Sequence, residues 1–161
     1  MKLEEYKQKC FETWGAGNEI IRTKIGIEEE FGELSGKVKR WYRGDYGNDF
    51  SKFKQELIGE LGDCLYYLTM GYHYFCKPVD WEIVDSDLPE VSEKFLYEIW
   101  ETLINNKRYY LNHKSYILLI RALIAFSNQC GLTIDEVIEY NIAKLQDRKK
   151  RGVIKGCGDA R

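Results

Sequence analysis

Four carboxylates stand out by their spacing. Glu30 and Glu33 are three positions apart in "EEFGEL", and Glu60 and Asp63 are three apart in "ELGDCLYYL". Three positions are most of one helical turn, so each pair would project from neighbouring points on one helix. Glu56, Glu60, Asp63 and Tyr67 extend the second pair at i, i+4, i+7 and i+11 into an acidic ridge. Like charges so spaced repel and weaken a helix. A cation shared between two such ridges would remove that penalty. Carboxylate oxygens suit hard divalent ions, so Mg2+ is the expected metal and Mn2+ the alternative. For either pair alone the competing reading is a solvated acidic face, with Glu33 paired to Lys37 one turn on.

The elements that position these groups read as helices. Ile20, Ile27, Phe31, Leu34 and Val38 form one apolar stripe over residues 19–43. Glu30 lies just beside that stripe and Glu33 one step further round. Glu28 falls on the other flank, and Glu29 nearly opposite. Phe53, Leu57, Leu61, Cys64, Leu65 and Leu68 form the stripe of residues 50–75. If these two helices pack antiparallel, Glu30, Glu33, Glu60 and Asp63 converge in a partly buried groove. Their repulsion there would demand a cation.

Around this pair, residues 2–14, 90–105 and 114–130 read as further helices. Asn18 caps the helix at 19, and Gly131 ends the helix at 114–130. Thr133 with Glu136 makes a capping box for a last helix. Two prolines in 161 residues leave little turn punctuation for a β-rich fold. The expected architecture is an all-α helical bundle of five to six helices, with its active site between helices. One domain over residues 1–161 is expected. Residues 76–112 match no motif and read as an insertion, and residues 152–161 as a glycine-bearing tail.

Residues 141–161 hold seven basic residues against Asp147 and Asp159. Asn141, Lys144 and Arg148 share a face at i, i+3 and i+7. Cations opposite an acidic metal site are what a polyphosphate needs. The plainer reading is a helix C-terminus whose cations favour the helix dipole. A net charge of -2 suggests neither a nucleic-acid nor a membrane partner. Five scattered cysteines fit free thiols in a reducing compartment. "MKLEEYKQKC" lacks the apolar run of a signal peptide, so a cytoplasmic protein is expected. Met70 and Tyr110 stand where a di-iron bundle would need glutamates before His73 and His113. There is no EF-hand loop and no Walker-type glycine loop.

Taken in order, these motifs resemble the MazG-type all-α nucleoside triphosphate pyrophosphohydrolases. Glu30-Phe-Gly-Glu33, 26 further residues, then Glu60-Leu-Gly-Asp63 is similar to that family's E-x-x-E and E-x-x-D pair. "NIAKLQDRKKRG" is similar to its C-terminal N-x-x-K-L-x-x-R element. The resemblance covers the second and third helices and the last thirty residues. It implies cleavage of a nucleoside triphosphate between its α- and β-phosphates, giving monophosphate and pyrophosphate. It implies Mg2+ ligation by Glu30, Glu33, Glu60 and Asp63, and Tyr67 bordering the nucleoside. It implies substrate contacts from Asn141 and Lys144, with Arg148 and Arg151 as further phosphate candidates. It also implies a homodimer or homotetramer.

Such hydrolysis needs a positioned water and neutralised charge more than covalent work by the protein. A spare carboxylate could take the water's proton, and Glu56 and Glu29 are the candidates. The rival class is a non-enzymatic helical regulatory module, binding nucleic acid or a partner through the basic C-terminus.

Overall fold

The computed structural model describes residues 2–76 and 113–153. Five helices lie within them: α1 (Leu3–Trp14), α2 (Glu19–Arg43), α3 (Phe50–Phe75), α4 (His113–Gln129) and α5 (Ile134–Lys150). With no strand among the described residues, the fold is an all-α helical bundle. The helix expected at 90–105 and the insertion read at 76–112 lie outside the described residues, apart from Cys76. So does the tail beyond Val153.

The ends of the helices follow from local chemistry. Asn18 accepts from the Ile21 amide and Asp49 from the Lys52 amide, satisfying first-turn donors that have no helical partner. Thr133 and Glu136 form the reciprocal capping box at the start of α5. Gly44, at φ 81°, ends α2 in the left-handed region, and its amide donates to the Trp41 carbonyl. The short stretch 45–49 then turns the chain straight back into α3.

That short link makes α2 and α3 an antiparallel hairpin. Along it, Lys37 meets Glu56, Gly26 lies against Tyr67, and Thr23 lies against Gly71. Phe31, Leu34 and Val38 of α2 are buried against the stripe of α3, whose Phe53, Leu57, Leu61, Cys64, Leu65 and Leu68 are all fully buried. Ile20 departs from the expected stripe, being 54% exposed. The register sets it level with the last turn of α3, where that helix runs out. Fully buried Thr23 takes its place, and small Gly71 lets the two backbones approach.

α3 packs against all four other described helices and is the centre of the fold. Tyr6, Cys10 and Trp14 bring α1 onto it, and Tyr116, Leu119, Ile120, Leu123 and Phe126 do so for α4. α5 turns through 101° from α4 and crosses back over α3 toward α1. This crossing carries Asn141 and Lys144 to the acidic ridge. Cys10, Cys64, Cys76 and Cys130 are buried free thiols. Among the described residues, no single helix is long and apolar enough to cross a membrane.

Phe31→Ala empties the middle of the α2–α3 seam. Chemical denaturation should show a loss of roughly 3–5 kcal/mol. A loss under about 1 kcal/mol would contradict a tightly packed hairpin.

Candidate functional site

Midway along the hairpin three carboxylates meet. Glu30 of α2 and Glu60 and Asp63 of α3 each offer an oxygen within 4.8 Å of the others. Each is at least partly shielded from water. Glu33 is not among them. It is exposed on the outer side of α2, and it reaches the cluster only through its charge, which disfavours ionisation of Glu30 and Glu60.

Two lysines flank this cluster from opposite sides. Lys144 of α5 donates to Asp63 Oδ2 at 2.6 Å. Lys37 of α2 lies 3.3 Å from Glu60 Oε1 and also donates to Glu56 Oε2 at 3.3 Å. Lys37 therefore serves the far helix rather than Glu33, the partner that the competing solvated-face reading gave it. Burial pushes the Glu30 carboxyl up to about 8, helped by the nearby charges of Asp63, Glu33, Glu29 and Glu60. Burial also raises Glu60; Lys37 pulls against this, while Glu33 and Asp63 add to it. The donor set is all oxygen, anionic and convergent, which fits Mg2+ or Mn2+ better than a softer metal.

Asp63 is the best-anchored member. Its Oδ1 accepts from Asn141 Nδ2 at 2.9 Å, so the two substrate-contact candidates Asn141 and Lys144 both reach it. Asn141 is fully buried and accepts in turn from the Tyr6 hydroxyl at 2.7 Å.

Beside the cluster opens a pocket of about 550 Å³. Glu30 and Asp63 of the cluster line it, together with Tyr67, Arg148, Trp14 and Arg22 among others. Trp14 meets Tyr67 edge to face at 5.7 Å, and the Arg22 guanidinium lies 4.4 Å over the Trp14 ring. Arg22 is fixed there by donating to the Trp14 and Gly15 carbonyls. A Cβ at Gly26 would fall 2.1 Å from the Tyr67 ring, so only glycine leaves room for that ring to lie on α2.

The remaining candidates sit apart. Arg151 is exposed and donates to Asp147 on its own helix at 2.7 Å. Glu29 is exposed, close enough for its charge to raise both Glu30 and Tyr67. Glu56 accepts from the Tyr46 hydroxyl at 3.0 Å and from Lys37, with Arg40 3.6 Å away. Burial works to raise Glu56, but those donors and cations together hold it below the usual carboxylate range. Tyr6, Trp14 and Arg22 belong to no motif that the sequence offers. Gly26 and Gly62 are the signal that was present, since glycine inside a helix marks close packing.

No match to the chain was found among protein-family models, curated proteins or solved structures.

The raised Glu30 sets a pH dependence. An unfolded glutamate titrates near 4.3, whereas Glu30 in the fold titrates at about 8. Between those values the folded chain holds a proton that the unfolded chain has released, so stability falls as pH rises. Thermal melts of the metal-free protein should drop from about pH 5 to pH 8. Glu30→Gln should flatten that slope and melt higher than the parent at pH 8. A parent stability that is flat or rising over this window would contradict the cluster.

Proposed function

We propose that the chain is a Mg2+-dependent nucleoside triphosphate pyrophosphohydrolase of the MazG type, acting on NTPs or dNTPs to control nucleotide pools. The observation that carries this reading is the convergence of Glu30, Glu60 and Asp63 from two helices, with lysines on either side and a pocket alongside. An acidic face that served only solubility would have no reason to gather its carboxylates inward.

The residues divide the work by position. Glu30, Glu60 and Asp63 would hold the ion, with Glu33 adding charge from the rim. A bound divalent ion there supplies positive charge against phosphate oxygens and makes nearby water more acidic. Lys144 and Arg148 are the cations placed to meet phosphates at the cluster and at the pocket wall. The pocket volume falls in the range of small-ligand sites, and Trp14 and Tyr67 offer it aromatic surface for a nucleobase. Arg22 lies over the Trp14 ring and lines the same pocket. Of the two carboxylates considered for taking a proton from water, Glu56 is committed to Tyr46, Lys37 and Arg40. That leaves Glu29, on the same helix as Glu30. A carboxylate held below its usual range is the weaker base. A homodimer or homotetramer and a cytoplasmic setting belong to the same proposal.

Each NTP and dNTP should be incubated with the protein and Mg2+, and pyrophosphate release measured. At least one should turn over, chelation should abolish turnover, and Glu60→Gln should reduce it by about 100-fold or more. Failure of every nucleotide, together with nucleic-acid binding that weakens steeply with salt, would instead establish the regulatory-module reading.

A further inference from the structure

One buried group reaches the acidic cluster without belonging to it. Tyr6 of α1 is fully buried, and its hydroxyl donates to Asn141 Oδ1 at 2.7 Å, with the Gly62 carbonyl at 3.5 Å. Asn141, also fully buried, donates through Nδ2 to Asp63 Oδ1 at 2.9 Å. The direction of this chain is set by chemistry. An ionised carboxylate only accepts, so the amide must turn its NH2 toward Asp63. Its oxygen then faces α1, where a phenol can donate and a phenylalanine could not.

Gly62 fixes the same amide from the other side. A Cβ on Gly62 would lie 2.8 Å from Asn141 Cβ and 3.0 Å from its Nδ2. The glycine thus lets α5 come close enough for Asn141 to reach Asp63. Lys144 holds the other Asp63 oxygen at 2.6 Å. The carboxylate is thereby oriented by donors from one helix, and one of those donors is oriented by another.

We propose that Tyr6 is a positioning residue for divalent-ion binding, acting through Asn141 to hold Asp63 in place beside Glu30 and Glu60. This rests on the metal-site reading above. Without the hydroxyl, the buried Asn141 oxygen loses a donor, and that cost favours other positions of the amide. Asp63 would then lose a fixed partner, and the oxygen cluster would be less preorganised. Partners of this outer kind typically alter metal affinity by about 10–100-fold.

The test is a Mn2+ titration of the metal-free, full-length protein, followed by electron paramagnetic resonance. It is run at a temperature where circular dichroism shows every variant folded. Tyr6→Phe should raise the Mn2+ dissociation constant about 10-fold. Asn141→Ala should weaken binding at least as much, and the double variant should be no worse than Asn141→Ala alone, because Tyr6 acts only through that amide. A merely structural Tyr6 would leave Mn2+ affinity unchanged, or its effect would add to that of Asn141→Ala. Either result, with normal binding by the parent, overturns the positioning role and leaves the metal site standing. A parent that binds no Mn2+ overturns both. Should Tyr6→Phe fail to fold, Gly62→Ala keeps the hydroxyl and displaces the amide. It should weaken Mn2+ binding similarly, and unchanged affinity would overturn the proposal.

Discussion

Electrostatic repulsion inside a half-buried groove is the constraint on which this structure turns. Ionised oxygens within 4.8 Å of one another repel by on the order of 3 kcal/mol or more per pair at an effective dielectric of about 20. Exposed ion pairs return at most about 1 kcal/mol each, so surface pairing could not offset such a cost. The molecule meets it in three ways. Lys144 pairs with Asp63, Lys37 lies against Glu60, and Glu30 is pushed toward the protonated form. Glu30 thus meets the repulsion by resisting ionisation.

The fold can be understood as the scaffold for that groove. α3 supplies two of the three carboxylates and touches every other described helix. The hairpin with α2 brings Glu30 into register, and the crossing of α5 brings Lys144 and Asn141. α1 contributes indirectly, through Tyr6 below the cluster and Trp14 at the pocket wall. Small residues sit where the approach is closest. Gly26 admits the Tyr67 ring and Gly62 admits Asn141. The same packing that excludes water from the seam strengthens the electrostatic contest beside it.

The apolar stripes and caps were legible because they depend on local chemistry. The limits of α2 and α3 match the spans 19–43 and 50–75 read from the sequence, Asn18 caps α2 as expected, and the α3 stripe is buried throughout. Ile20 fits the helical period but not the burial, because periodicity does not say where a partner helix ends. Three of the four paired carboxylates converge since they hug their stripes, whereas Glu33, one step further round, faces out. The i,i+4 spacing also allows a local Glu33–Lys37 pair, yet Lys37 crosses to Glu56 and Glu60, a choice made by helix register. Tyr6, Trp14 and Arg22 were hidden for a related reason. Each works through a contact with a residue distant in sequence or through a pocket wall. The helical glycines were the visible clue, since glycine weakens a helix by about 1 kcal/mol relative to alanine.

The central claim is that α2 and α3 share one divalent ion, and anomalous diffraction tests it most directly. Crystals grown with Mn2+ should show a strong anomalous peak between Glu30, Glu60 and Asp63, with carboxylate oxygens from both helices as ligands. A Mn2+-saturated crystal with no peak there, its carboxylates still paired to Lys37 and Lys144, would contradict the account.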